Sequence, residues 1–163
     1  MTRIDVRLDD RLLHGQVVEN WIEILHPDLV LVANDRVAAD PFTRELYAAA
    51  LPPAVALAVE PLARAAERLR AAAGRVLLIA GSAADVLALV RDGIGVDRIV
   101  VGGLHHAPGK ERVLEFVYVD AADRAALRGL AAAGIALVAQ DVPSRRPTDL
   151  APLLGPAPAG RDA

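Results

Sequence analysis

The chain of 163 residues has no cysteine. Disulfides, thiolate metal sites and thiol nucleophiles are therefore excluded, and covalent chemistry must fall to another side chain. No basic stripe is present. The formal charge of −3 is nearly balanced, with 18 Lys and Arg against 21 Asp and Glu. Nucleic acid is not an expected partner. No apolar run approaches the ~20 residues of a membrane span. The start, M-T-R-I-D-V-R, places charges inside its apolar stretch, unlike a signal peptide. These absences lead to the expectation of a soluble, cytoplasmic protein. If it serves transport, another chain must supply the pore.

What is present is a globular composition, 54% hydrophobic and rich in Ala, Val and Leu. The length suits one domain. Strand and helix patterns alternate throughout. Ile4, Val6 and Leu8 read as a first strand, and Val17, Val18, Trp21, Ile24 and Leu25 as the helix after it. Residues 29–33 read as a second strand. Asp40-Pro41 starts a helix with Phe42, Leu46, Tyr47 and Ala50 on its apolar face, and Pro52-Pro53 ends it. Further strands are expected at 54–59, 75–80, 99–101, 113–119 and 135–140. Between them lie a helix with a buried stripe of Leu62, Ala65, Ala66 and Leu69, one opened by a Ser82–Asp85 capping box, and one capped by Asp120. Trp21, Phe42 and Tyr47 read as core or core-edge residues, and His26, before Pro27, as a helix end.

Repeated strand–helix–strand units predict a three-layer α/β/α fold with a mostly parallel central sheet of about six or seven strands. With strand 1 central and strands 2 and 4 beside it, the switch point falls at the C-terminal ends of strands 1 and 4. That would bring Gly81-Ser82 close to the loop after strand 1. Residues 1–154 form the expected domain. The Pro/Gly/Ala-rich 155–163 reads as a disordered tail.

The loop after strand 1 carries the chemistry. Arg7 to Val17 reads R-L-D-D-R-L-L-H-G-Q-V. His14 stands just before a helix start, where free amides of Gly15, Gln16 and Val17 can receive an anion. Arg11 offers a planar donor fork for phosphate oxygens. Asp9 or Asp10 could orient Arg11 or the imidazole, and either could equally be a structural link to Arg7. Ser82 is first a helix cap and secondarily a phosphate contact. Imidazole is a good nucleophile toward phosphorus, and phosphoryl transfer asks the protein mainly for positioning and charge stabilisation. Read locally, the same residues also fit a solvated turn with a surface ion pair.

The string D-D-R-L-L-H-G-Q-V, with Arg7 two residues upstream, resembles the active-site signature of the IIB subunits of the mannose/fructose/sorbose family of the sugar phosphotransferase system. Leu13 stands where isoleucine is common. "VLVANDRVAADPF", "IVVGGLHHAPGKERV" and "ALVAQDVPSRRPTDL" resemble the family's second strand, glycine-rich fifth-strand turn and last strand, so the resemblance runs over roughly residues 1–154. It implies that His14 is the phosphorylated histidine and that Arg11 holds the phosphate. The implied activity is that of a protein-N(pi)-phosphohistidine–sugar phosphotransferase component. A IIA protein would be the donor. A membrane IIC/IID complex, at which the chain would sit peripherally, would present the sugar. A homo-oligomer is left open.

Two rival readings share His14: a phosphorylation-dependent regulatory module without sugar transport, and a small-molecule enzyme using the histidine as a base. No cofactor or metal is expected. His105-His106 lack acid or sulfur partners in sequence, so they read as a loop beside the partner surface. Gly109-Lys110 is no P-loop, because Leu104 stands at the first glycine position and Glu111 replaces the Ser/Thr.

Overall fold

The chain opens with β1 (Arg3–Asp9), a π-helical segment (Val17–Ile22) running into α1 (Glu23–Leu25), β2 (Leu29–Ala33), α2 (Asp35–Ala38), α3 (Pro41–Ala50) and β3 (Ala56–Glu60). It continues with α4 (Leu62–Arg70), β4 (Arg75–Ala80), α5 (Ala83–Arg91), β5 (Arg98–Gly103), β6 (Glu111–Leu114) and β7 (Val117–Val119). It closes with α6 (Ala121–Ala132), β8 (Ala136–Ala139), β9 (Thr148–Asp149) and a 3-10 turn (Ala151–Leu154). This is a computed structural model, and it describes residues 1–156. The expectation of a disordered tail falls mainly on 157–163, outside the described residues.

Among the described residues, seven strands form one sheet in the order β3-β2-β4-β1-β5-β8-β9. Every neighbouring pair is parallel except β8 with β9. The chain steps outward from β1 to β2 to β3, then reverses. Right-handed crossovers therefore put the first helices on one face and α4, α5 and α6 on the other. The larger core packs Val6, Leu8, Leu78 and Ile99 beneath Leu69, Val86, Leu89, Leu127 and Leu130. The smaller packs Val30, Val32, Leu77 and Ile79 beneath Val17, Trp21, Ile22 and Val37.

Five expectations need correction. β1 is flanked by β4 and β5, because β4 slots between β2 and β1 on the return from the edge. The reversal still lies where β1 meets β4. Residues 113–119 do not form one strand. They lie within an antiparallel hairpin, β6–β7, that turns at Glu115-Phe116 and forms a separate two-stranded sheet. Leu104 ties it to the body: its amide donates to the Phe116 carbonyl at 3.0 Å, and its carbonyl accepts from Tyr118 at 2.8 Å.

On α3, Phe42 and Leu46 are exposed and only Tyr47 is half-buried, so that apolar face points outward. After His14 the helix widens to a π register. The Asn20 side chain occupies the Gln16 carbonyl at 3.1 Å, where an α-helix would place a backbone donor. The phase shifts, and Ile22 is buried in place of Ile24. Lastly, Ser82 accepts from the Asp85 amide at 3.2 Å without a reciprocal bond, whereas Asp120 and Asp123 complete a full capping box.

The described end of the chain is tied down. Leu154 is buried, and its carbonyl accepts from Arg124 at 2.8 Å and from Arg128 at 2.6 Å.

Two predictions follow from these contacts. Asp120→Ala strands the Asp123 amide and removes a negative charge from the helix N-terminus, and should cost about 1–2 kcal/mol, more than Ser82→Ala, in chemical denaturation. Gly102 lies on β5 against the Arg7 side chain, and a Cβ there would overlap the guanidinium. Gly102→Ala should destabilise by about 1–3 kcal/mol, whereas Gly95→Ala, with open space at its Cβ, should cost clearly less in the same experiment.

Candidate active site

The loop after β1 is built around two buried leucines. Asp9 closes a turn by accepting the Leu12 amide at 3.0 Å. Leu12 adopts a left-handed backbone, φ 58°, uncommon for a residue with a branched side chain. Its side chain and that of Leu13 enter the smaller core, at 2% and 5% exposure. Burial of the pair offsets that conformational cost and leaves the flanking Arg11 and His14 at the rim. Arg11 has half of its side chain exposed and His14 18%. Gly81, at the end of β4, closes over Leu12: a Cβ there would lie 3.3 Å from the leucine methyl.

Beneath the rim lies a buried relay of charge. Arg7 and Asp9 project from β1 toward the smaller core. The β1–β5 register shifts between Leu8 and Asp9, and such an irregularity re-aims a side chain at a strand end. Asp9 is fully buried. Its Oδ2 accepts from Arg7 Nη2 at 3.3 Å and meets His14 Nε2 at 2.9 Å. Its Oδ1 accepts from the Arg11 amide at 3.0 Å, and the Arg11 Nε lies 3.9 Å away. Burial pushes the Asp9 carboxyl up, but the bonds from His14 and the Arg11 amide, with the Arg7 charge, hold it below the usual aspartate value.

Arg7 is placed with equal care. Its guanidinium donates to the carbonyls of Gln140 at 3.4 Å and Asp141 at 3.1 Å, and lies 5.0 Å from the Trp21 ring centroid. Trp21 donates its indole N–H to the same Asp141 carbonyl at 2.8 Å. Burial lowers the Arg7 group from the ordinary arginine value, and the Asp9 carboxylate opposes that shift. The guanidinium remains charged at physiological pH.

An ionised Asp9 accepts only, so His14 Nε2 carries the proton and Nδ1 the lone pair. Nδ1 has no hydrogen-bond partner among the described residues. The His14 carbonyl accepts the amides of Val17 at 3.0 Å and Val18 at 3.1 Å. Val17 is therefore no longer a free donor, which leaves Gly15 and Gln16 at the helix start. Arg11 Nη2 donates to the Gln16 side chain at 3.3 Å, drawing the guanidinium toward that same start.

The remaining candidates are placed as follows. Among the described residues the Asp10 side chain bonds neither Arg11 nor His14, and both of its oxygens meet His105 instead. The His105 amide donates to Oδ2 at 2.6 Å, and ring Nδ1 bonds Oδ1. Ser82 turns its hydroxyl to the Asp85 amide, and its neighbour Gly81 makes the contact to the active loop. His106 packs edge-on against Tyr118, 5.4 Å between centroids, and so diverges from His105. Lys110 pairs with Asp123 at 2.8 Å. His26 ends α1 in a left-handed conformation. Sequence reasoning left two participants without a site role: Arg7, whose only signal was its distance from the motif, and Gly102, whose signal was the Gly-Gly ending β5.

Residues 4–162 match the family model described as the PTS system sorbose subfamily IIB component. The N-acetylgalactosamine-specific phosphotransferase enzyme IIB component 2 of Escherichia coli is 41% identical over 91% of this chain and 96% of its own. The mannose-specific EIIAB component of the same organism is 35% identical over 83% of this chain, which spans 43% of that longer protein. Among solved structures, the IIB domain of the sorbose permease from Klebsiella pneumoniae superposes with a TM-score of 0.86 at 28% identity, covering 93% of this chain and 96% of that one. The family's three-layer α/β/α architecture with a mostly parallel seven-stranded sheet is the one described above. The chain belongs to the sorbose-type IIB family of the sugar phosphotransferase system.

Proposed function

We propose that this IIB component carries a phosphoryl group on His14 Nδ1, taken from a IIA protein and passed to a sugar held by a membrane IIC/IID complex. The observation that carries the reading is the Asp9–His14 pair, which commits Nε2 to the buried carboxylate and leaves Nδ1 as the nucleophilic atom at a partly exposed rim. A chain without cysteine offers no thiol for the same role.

In charging, the Nδ1 lone pair attacks phosphorus in line, and the N–P bond to the donor histidine breaks. Arg11 neutralises the equatorial oxygens, and the amides of Gly15 and Gln16 add fixed donors. Asp9 offsets the positive charge that develops on the ring. In discharge, a sugar hydroxyl attacks the same phosphorus and His14 recovers its lone pair. Residues 1–154 act as one functional unit in this reading. The IIA donor finds support in the mannose-specific EIIAB relative, whose name joins IIA and IIB. No helix among the described residues is long and apolar enough to cross a membrane, which fits a cytoplasmic carrier meeting its permease at the inner face.

The test is charging from phosphoenolpyruvate, Enzyme I, HPr and IIA, followed by intact-mass measurement. His14→Ala should abolish the mass gain while the circular-dichroism spectrum is retained, because the residue lies on a loop. Arg11→Lys keeps the charge but loses the fork, and should slow charging by ~10- to 1000-fold. The label should be lost in acid and persist in alkali. Wild-type uptake by His14→Ala would remove this loop from the mechanism.

A further inference from the structure

Asp9 ends β1 and Asp10 follows it, and each holds a histidine. Asp9 takes Nε2 of His14 and leaves Nδ1. Asp10 takes Nδ1 of His105, and the His105 backbone amide donates to its other oxygen at 2.6 Å. His105 therefore has the opposite tautomer: the proton sits on Nδ1 and the lone pair on Nε2. Nε2 has no partner among the described residues, and 45% of the side chain is exposed.

Three contacts bring this second histidine to the first. The Asp10 amide donates to the Gly103 carbonyl at 3.0 Å, fastening the active loop to the end of β5. A Cβ at Gly103 would lie 2.9 Å from His105 Cε1 and 3.6 Å from Asp9 Oδ1. The His105 ring and the Asp9 carboxylate that holds His14 thus border the same space above one glycine. A side chain at Gly103 would push the His105 ring away from its place.

An aspartate fixing one imidazole nitrogen, with the other nitrogen open to solvent, is the arrangement of a general base. The charging step has no use for one, because the attacking Nδ1 already carries a lone pair. Discharge does: a sugar hydroxyl that bonds to phosphorus must lose its proton. We infer that His105 is the general base for discharge of the phosphoryl group to the sugar, with Asp10 as its positioning residue; this rests on the phosphocarrier reading of His14. As the hydroxyl oxygen forms its bond to phosphorus, the bond from phosphorus to His14 Nδ1 breaks. The hydroxyl proton passes to His105 Nε2 and then to solvent.

The two half-reactions separate this role from a structural one. Wild type, His105→Gln and Asp10→Asn are charged with phosphoenolpyruvate, Enzyme I, HPr and IIA. Each is then mixed with membrane vesicles carrying IIC and IID and with N-acetylgalactosamine, mannose, fructose or sorbose in turn. Charging by His105→Gln should stay within about threefold of wild type, while discharge falls by about 100-fold or more. Asp10→Asn, which retains a side-chain oxygen for the His105 amide, should discharge at an intermediate rate. Discharge by wild type should depend on pH more steeply than discharge by His105→Gln, which has no base at that position to protonate. The titratable groups around His105 are Asp10 and, across Gly103, the Asp9–His14 pair; Lys110 lies close enough for the Asp10 charge to help raise its ammonium.

Equal slowing of both half-reactions would make His105 a structural clamp and overturn the inference. Unchanged discharge would overturn it as well. Wild type that charges but discharges to no sugar would overturn it together with the sugar-transfer arm of the function. Failure of His14 to charge at all would instead overturn the phosphocarrier reading.

Discussion

The buried ion pair of Arg7 with Asp9 is the contact on which the site depends. Both side chains are almost fully withdrawn from water, and an isolated charge there would be untenable. Each is compensated several times over. Arg7 has two carbonyls and an indole face besides the carboxylate, and Asp9 has an amide and an imidazole besides the guanidinium. Pairs of this kind add little net stability against an apolar replacement, but removing one partner is expensive because the other is stranded. The pair is therefore better understood as a device of placement. It holds a carboxylate under the loop at a fixed height, and His14 is oriented from below.

That placement draws on three parts of the chain far apart in sequence. β5 supplies Gly102, whose missing side chain makes room for the guanidinium. The segment after β8 supplies the carbonyls of Gln140 and Asp141. The π-helical segment supplies Trp21, which shares the Asp141 carbonyl with Arg7. All meet at the C-terminal end of the sheet because β1 sits between β4 and β5, beside the point where the chain reverses direction. Ligand sites in open parallel sheets favour that position for this reason: the loops on either side diverge and leave a crevice.

The local parts of this arrangement were legible in the sequence. Apolar alternation in β1, the Asp120–Asp123 cap and the strand–helix rhythm are short-range signals, and the D-D-R-L-L-H-G-Q-V string located the loop. What could not be read was long-range. Asp10 meets a residue 95 positions away, so nothing near it in sequence distinguishes it from Asp9. The β6–β7 hairpin was hidden because Glu115-Phe116 turns without Gly, Pro or Asn, the usual markers. The outward face of α3 misled for a different reason: periodicity reports that a helix has an apolar side, not that this chain covers it. The π register was masked because its cause, the Asn20 side chain on the Gln16 carbonyl, replaces a backbone bond that sequence patterns take for granted.

A phosphocarrier must bind phosphate without keeping it, and the sharing of Asp9 bears on that balance. A carboxylate devoted to one imidazole favours the imidazolium, which has no lone pair with which to attack. Here the carboxylate charge is divided among Arg7, the Arg11 amide and His14, and in the proposed mechanism only the imidazole among them reacts. In the proposed transfer, the same oxygen that orients the free ring also steadies the positive charge that appears when Nδ1 bonds to phosphorus. Arg11, the cation assigned to the phosphate in the proposed mechanism, stands outside the buried pair on a half-exposed side chain. Fixed charge below sets the geometry, and in the proposed transfer the exposed charge above meets the phosphoryl group. The division explains why two arginines in one short loop occupy such different surroundings.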